Sequence, residues 1–144
     1  MKLATVGELM TKDVISIDPD LKVDIAVELM NSHNIRRLPV VSKVNRVIGV
    51  ISINDAMLAI SEAKDALRFD DNAIPIVRDA MADIVYTVGP DESVAKAAQM
   101  MVNHEIGCLP VLDKEKNLVG IITESDLFRY LAQMLGNEDT TAAA

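Results

Sequence analysis

Hydrophobic and polar positions follow the same order twice along this chain. In each half a β-rich segment comes first, and a helix follows in which apolar residues recur at i, i+3, i+4 and i+7. These helical positions are Val23, Ala26, Val27 and Met30 in the first half, and Val94, Ala97, Ala98 and Met101 in the second. Two strands rich in branched residues and a second helix complete each half. The pattern predicts the element order β-α-β-β-α, used twice.

Turn and cap residues mark the ends of these elements. The first β segments, residues 14–17 and 84–88, end at Pro19-Asp20 and Pro90-Asp91. Proline disfavours helix in the residue before it, and aspartate is a good N-cap, so we expect each helix to begin there. Short polar connections then predict two antiparallel hairpins. Their strands are residues 38–41 with 47–51, and residues 109–112 with 118–122.

The two halves are copies of one another, since residues 6–61 align with residues 77–132 without a gap. The identical pairs include Met10 and Met81, His33 and His104, Gly49 and Gly120, and Asp55 and Asp126. Such a duplication means that one supersecondary unit is used twice. A single repeat buries too little surface to be stable alone. We therefore expect an α/β (α+β) fold in which two pseudo-symmetric repeats pack sheet to sheet, with two equivalent clefts between them.

This organisation predicts four segments along the chain. The first repeat occupies residues 1–61 and a linker occupies residues 62–76, although its start can extend the preceding helix. The second repeat occupies residues 77–135, and residues 136–144 form a flexible tail.

Composition and charge narrow the class of protein further. The net charge of −8 argues against nucleic acid and anionic membranes as partners, because both require clustered Lys and Arg. Cys108 is the single cysteine, which excludes an internal disulfide and a cysteine-rich metal site. No apolar run approaches the ~20 residues of a membrane span, and the N-terminal segment lacks the apolar region of a signal peptide. We expect a soluble cytoplasmic protein.

Two motifs in register carry a family resemblance. They are Gly49-Val-Ile-Ser52-Ile-Asn-Asp55 and Gly120-Ile-Ile-Thr123-Glu-Ser-Asp126, each preceded by a Leu-Pro-Val strand that starts at Leu38 or Leu109. With these motifs the chain resembles a stand-alone tandem pair of CBS domains, called a Bateman module, over residues 6–132. The stretch from Thr123 to Arg129 also looks like CBS pairs of the acetoin-utilisation type.

The resemblance implies an adenosine-containing ligand: AMP, ADP or ATP, and in some members S-adenosylmethionine. It places the ribose on Asp55 and Asp126, and the phosphate near Ser52 and Thr123. Strand residues would hold the adenine. The full set of implied ligand-binding residues is Ser16, Ile17, Arg36, Arg37, Leu38, Pro39, Ser52, Asn54, Asp55, Thr87, Val88, Cys108, Leu109, Pro110, Thr123, Ser125 and Asp126.

Several of these residues also have a structural explanation. The Ser/Thr-x-x-Asp pattern fits a helix capping box as well as a ligand site. Arg36 and Arg37, which stand where the second half has Gly107 and Cys108, can bind phosphate or form a surface or dimer ion pair. The paired histidines fit placement against helix dipoles better than metal binding. We predict neither a metal site nor catalytic residues.

Three functions remain open at this point. The first is a non-enzymatic regulatory module that binds an adenine nucleotide and signals to an effector protein. The second is a ligand-free dimerisation or interaction module, and the apolar stripe of Phe128, Leu131 and Leu135 favours a homodimer. An S-adenosylmethionine sensor is a variant of the first. An enzyme is disfavoured, because the sequence has no Walker motif, no Gly-x-Gly-x-x-Gly and no Ser-His-Asp order.

Overall fold

The computed structural model describes residues 4–67 and 73–143, without the side chains of residues 66–67 and 138–143. The elements in chain order are α1 (Val6–Leu9), α2 (Val23–Ser32), β1 (Arg37–Val41), β2 (Val47–Ser52), α3 (Ile53–Leu67), α4 (Val77–Ala80), α5 (Val94–His104), β3 (Cys108–Leu112), β4 (Leu118–Thr123) and α6 (Glu124–Ala143). The mixed helix and strand class and the repeated unit are confirmed.

Each repeat contributes one antiparallel hairpin with the same register. Arg37 pairs with Ser52 in one hairpin, and Cys108 pairs with Thr123 at the equivalent place in the other. The first β segment of each repeat is reduced to one parallel bridge: Ile17 pairs with Val40 and Val88 with Val111.

The compact units of the structure do not coincide with the sequence repeats. One unit is Ile15–Val85, here called the contiguous unit, and the other joins Met1–Val14 to Tyr86–Ala144, here called the split unit. In the split unit, the main chain of Thr11 exchanges two hydrogen bonds of 2.9 and 3.0 Å with Ile121. In the contiguous unit, Ala82 makes the same exchange with Val50. Each repeat's N-terminal turn therefore belongs to the unit built on the other repeat.

Two glycines allow the N-terminal turn of each repeat to lie directly against a strand of the other repeat. A Cβ atom on Gly49 would lie 2.4 Å from Met81 Sδ, and one on Gly120 would lie 2.3 Å from Met10 Sδ. Real Cβ atoms essentially never approach another atom so closely, so the methionine would have to move if either glycine were replaced. The identity of Gly49 and Gly120, and of Met10 and Met81, thus has a packing reason in both units.

An aliphatic core fills each unit. In the contiguous unit it consists of Ile17, Val23, Ala26, Met30, Leu38, Val40, Ile51, Ala56 and Val77. In the split unit it consists of Val6, Val88, Ala97, Met101, Leu109, Val111 and Ile122. Leu38 and Leu109 are fully buried. Each hairpin is therefore fixed in place by its Leu-Pro-Val strand.

Several helix boundaries differ from those expected from the sequence. The N-caps are Lys22, without a side-chain cap, and Ser93, which accepts from the Lys96 N–H. Asp20 and Asp91 were expected to cap these helices, but each lies in the preceding turn. Helix α3 covers the first part of the predicted linker, whose residues 68–72 lie outside the described residues. Helix α6 continues past its predicted end at residue 135, since no proline follows Gly136 to stop it.

Candidate functional site

In the contiguous unit, the predicted site residues lie on or beside β1 and where β1, β2 and α3 come together. The Ile53 N–H donates to the Arg36 carbonyl at 2.8 Å, and Arg37 is the cross-strand partner of Ser52. The Ile17 N–H donates to the Pro39 carbonyl at 3.0 Å, which adds the first β segment to the group. Arg36, Arg37 and Ser52 therefore lie at the open end of the hairpin, whereas Ile17 lies further along β1, beside Pro39 and Val40.

The start of α3 is capped through a hydroxyl group. Ser52 Oγ accepts a hydrogen bond of 3.0 Å from the Asp55 N–H, as the first part of a capping box requires. The Asp55 carboxylate is exposed and, among the described residues, has no hydrogen bond or ion pair. The hydroxyl therefore serves as a cap, while the carboxylate is left available to another group.

The split unit arranges the same residue types differently. Asp126 Oδ2 accepts from the Thr123 N–H at 2.9 Å and from the Thr123 hydroxyl at 3.2 Å. Asp126 Oδ1 accepts from Arg129 Nη2 at 2.5 Å. The side chain of Asp126 is only 6% exposed. Its carboxylate is thus occupied by a full capping box and an ion pair, so the capping explanation holds for this residue.

The charges around the two helix N-termini have opposite balance. Arg36 and Arg37 stand beside the start of α3, against the single acidic side chain of Asp55. At the start of α6, the Glu124 N–H donates to the Gly107 carbonyl at 3.0 Å, so an uncharged glycine stands in the place of Arg36. Glu124 and Asp126 there outnumber Arg129. A helix N-terminus carries positive partial charge, and of the two described here only that of α3 has arginines at the adjacent main-chain positions.

Burial separates the predicted site residues into two groups. Six hydrophobic or proline residues, together with Cys108, are buried: Ile17, Leu38, Pro39, Val88, Leu109 and Pro110. These side chains belong to the interior of each unit. The polar ones are exposed or half-buried, except Asp126: Ser16, Arg36, Arg37, Ser52, Asn54, Asp55, Thr87, Thr123 and Ser125. The polar side chains are therefore the ones that can meet a ligand without rearrangement.

In the split unit, the predicted site residues do not all line one cavity. Thr87 and Val88 line a cavity of about 590 Å³ near the turn of the β3–β4 hairpin. Asp126 lines another, of about 380 Å³, with Arg129 and Glu8. The structure thus assigns the two predicted groups to different surfaces of this unit.

Arg129 is the residue that the sequence analysis missed. The signal was present, because an acidic and a basic residue three positions apart on a helix commonly pair. The equivalent position in the first repeat is Leu58, so the pairing is confined to the split unit. Tyr86 and His104 were a second unrecognised pair: their rings stack with centroids 3.7 Å apart. This contact places the predicted helix-end histidine against a neighbouring segment.

The described residues contain no group of three or more His, Cys, Asp or Glu side chains that could hold a metal ion. Within the same ranges, no helix is long and apolar enough to cross a membrane.

The match to a family model agrees with this geometry. The model of the CBS domain matches residues 6–62 and 77–133, and the chain belongs to the CBS domain family as a pair of such domains. A CBS domain-containing protein of Dictyostelium discoideum is 32% identical over 90% of this chain and 92% of its own length. A homoserine O-acetyltransferase of Methanohalobium evestigatum is 29% identical over 89% of this chain. The chain spans only 24% of that enzyme.

Solved CBS pairs share the fold. A CBS domain pair in complex with 5′-methylthioadenosine and S-adenosyl-L-methionine superposes with a TM-score of 0.80 at 25% identity, covering 92% of this chain and 99% of that one. An acetoin utilization protein of Vibrio cholerae gives 0.79 at 28% identity, with 96% and 98% covered. CBSX2 in complex with AMP gives 0.77 at 26%, with 91% and 98% covered. The resemblance stated from the sequence is confirmed.

Proposed function

We propose that this CBS pair is a non-enzymatic regulatory module that binds an adenosine-containing ligand and signals to an effector protein. AMP, ADP or ATP is the expected ligand. The observation that carries the proposal is the group formed by Arg36, Arg37, Ser52 and an unpaired Asp55 at the start of α3. Related CBS pairs in complex with AMP and with S-adenosyl-L-methionine support it.

The chemistry of this group suits a nucleotide. An unpaired carboxylate accepts hydrogen bonds from the two hydroxyl groups of a ribose. Two guanidinium groups beside a helix N-terminus favour phosphate oxygens, because arginine binds them through paired hydrogen bonds. The group at the start of α6 has no equivalent of Arg36 and Arg37. We therefore expect the two sets of site residues to have unequal affinities for phosphorylated ligands.

A thermal-shift panel tests the proposal directly. The ligands are AMP, ADP, ATP, adenosine, S-adenosylmethionine, NAD and GTP, each at millimolar concentration. A ligand at 100 times its dissociation constant adds about 2.7 kcal/mol of stability, which raises Tm by several degrees. We expect this rise for adenine nucleotides and none for GTP. A rise with S-adenosylmethionine alone would make the protein a sensor of that compound, and turnover of bound nucleotide would contradict the non-enzymatic assignment.

A matched pair of variants tests the role of the arginines. Arg36→Gly with Arg37→Cys gives the contiguous unit the residues of the split unit, and should remove the preference for AMP over adenosine. Lys43→Gln with Lys64→Gln removes two positive charges elsewhere in the same unit and should retain it. Titration calorimetry measures both. Equal affinities of the parent protein for AMP and adenosine would contradict the phosphate role.

The rival proposal is an interaction module without a ligand. It would be favoured if no compound of the panel raised Tm. The predicted homodimer is a separate question, which light scattering at micromolar concentration decides. A monomer under those conditions would contradict it.

A further inference from the structure

Asp126 and Arg129 form an ion pair on the first turns of α6 for which α3 has no counterpart. Arg129 Nη2 donates to Asp126 Oδ1 at 2.5 Å. Side chains three positions apart lie on the same face of a helix, which allows this contact. The corresponding residue of α3 is Leu58, whose hydrocarbon side chain cannot donate a hydrogen bond to Asp55. The difference between the repeats therefore lies in one residue outside the shared motif.

Hydrogen bonds already use both oxygens of the Asp126 carboxylate. Oδ2 accepts from the Thr123 N–H and from the Thr123 hydroxyl, while Oδ1 accepts from Arg129. A carboxylate offers about four lone-pair sites, and the two hydroxyl groups of a ribose would take two of them. Because three donors already contact Asp126, a ribose can make both of its hydrogen bonds only if one donor leaves.

Arg129 is the donor that can leave, but its departure is opposed. Its side chain is 71% exposed, whereas that of Asp126 is 6% exposed. The guanidinium can therefore move into water, while the carboxylate stays largely buried. Arg129 is the one cation paired with Asp126 among the described residues. Ribose hydroxyl groups are neutral and do not replace this charge, and a buried carboxylate without a cation is costly.

The cavity beside this pair adds to the opposition. It has a volume of about 380 Å³, and Glu8 lines it together with Asp126 and Arg129. Arg129 is the single cationic side chain among its described lining residues. If Arg129 left, two carboxylates would line the cavity without a positive charge between them. The arrangement therefore favours retention of Arg129 at Asp126 and disfavours an anionic ligand there.

We propose that Arg129 competes with the ribose hydroxyl groups for Asp126 and so determines which repeat binds adenosine tightly. The start of α3, with its available Asp55, binds the nucleoside, and the start of α6 binds it weakly. This inference rests on the proposed function and adds a residue that determines specificity. It is distinct from the effect of Arg36 and Arg37, because it applies to adenosine, which carries no phosphate.

Adenosine titrations by calorimetry test the competition at the start of α6. All variants carry Asp55→Ala, which removes the carboxylate of the contiguous unit. Arg129→Leu gives α6 the residue of α3 and should raise the affinity for adenosine roughly tenfold, since a charged hydrogen-bond competitor is lost. Arg129→Lys retains a cation and should not raise it. Lys96→Leu removes a cation paired with Glu92 in the same unit and should leave the affinity unchanged.

The reverse exchange tests the start of α3. Leu58→Arg places a cation three positions after Asp55 and should lower the adenosine affinity of the otherwise unaltered protein roughly tenfold. Met57→Arg adds the same charge two positions after Asp55, where the side chains do not face each other. It should leave the affinity unchanged. Met57 and Leu58 are both exposed, so neither arginine disturbs the core, and retained circular dichroism spectra would verify this.

Three results would overturn the proposal. They are no gain in affinity with Arg129→Leu in the Asp55→Ala protein, an equal gain with Arg129→Lys, and equal affinities of the Leu58→Arg and Met57→Arg proteins. Failure of the proposed function looks different, because the parent protein would then bind neither adenosine nor AMP. In that case the role of Arg129 stands only if Arg129→Leu creates adenosine binding that Asp126→Ala removes, and it falls otherwise.

Discussion

The starts of α3 and α6 carry the same motif, yet the carboxylates of their aspartates differ in exposure and in hydrogen-bond partners. Asp126 is buried, closes a capping box onto Thr123 and pairs with Arg129. Asp55 is exposed, and its carboxylate has no partner among the described residues. The residue three positions further on separates the two cases, because the first repeat has Leu58 in place of the arginine. A motif in the sequence thus does not tell whether its carboxylate is available.

Replacing Gly49 or Gly120 should reduce the free energy of unfolding more than any other change considered, and by different amounts. A Cβ on Gly49 would lie 2.8 Å from the Ala82 carbonyl oxygen, whereas one on Gly120 would lie 3.1 Å from that of Thr11. Main chain yields less easily than a methionine side chain. We expect Gly49→Ala to cost about 2–3 kcal/mol and Gly120→Ala about 1 kcal/mol. Urea denaturation measures both, and equal losses would show that the methionines alone limit the space.

The two aspartates should respond differently to removal of the carboxylate. Asp126→Ala should lower the free energy of unfolding by about 1–2 kcal/mol, because a cap and a buried acceptor are lost. Asp55→Ala should change it by less than about 0.5 kcal/mol. If the proposed function holds, Asp55→Ala instead weakens nucleotide binding. Thermal unfolding with and without AMP separates the two effects, and a larger stability loss at Asp55 would reverse the comparison.

Swapping the residue types at equivalent positions of the two hairpin turns should have a smaller effect on stability. Asn45 and Lys116 occupy equivalent positions with positive φ angles of 61° and 71°. Asparagine tolerates this conformation better than lysine does. Lys116→Asn should therefore stabilise the protein by about 0.5–1 kcal/mol, and Asn45→Lys should destabilise it by a similar amount. Chemical denaturation at neutral pH provides the test. No change in either direction would show that these turns relax without cost.

The smallest effect concerns Glu92, whose counterpart is Leu21. The hydrogen bond from Lys96 and then that from the Gly89 N–H lower the pKa of Glu92. A group with a lowered folded-state pKa stabilises the protein above its unfolded pKa, and the stability is lost as pH falls through the folded value. Glu92→Gln should reduce the acid sensitivity of Tm slightly below about pH 4.5. Identical pH profiles for parent and variant would show that the interaction is too exposed to matter.

The sequence predicts the helices and strands of this fold better than it predicts which of them pack against each other. Periodicity identified α2 and α5, and the duplication indicated two equivalent hairpins. The packing of α1 and α4 on the other repeat was not predicted, because a hydrophobic pattern shows which face is buried and not what it is buried against. Helix starts were placed at Asp20 and Asp91 because composition alone cannot distinguish a cap from a turn residue.

The candidate site shows the same limit. Strand pairing places Arg37 opposite Ser52 and Cys108 opposite Thr123, because the register of a hairpin fixes cross-strand neighbours. Whether a given side chain is free depends on rotamers and on residues outside the motif, as Arg129 demonstrates at Asp126. The buried state of Leu38 and Leu109 is likewise a property of packing. The resemblance supplied candidate ligands, while the structure distinguishes which polar groups are accessible.

The packing of each N-terminal turn on the other repeat also bears on how the chain folds during synthesis. The contiguous unit draws all its contacts from one stretch, so it can form soon after residue 85 has left the ribosome. In the split unit, Met10 and Thr11 cannot make their contacts until Gly120 and Ile121 have left the ribosome. Domains generally fold as units in the order of synthesis, and distant pairings form slowly. The apolar turn at the start of the chain is therefore the segment that remains without its partner longest on the nascent polypeptide.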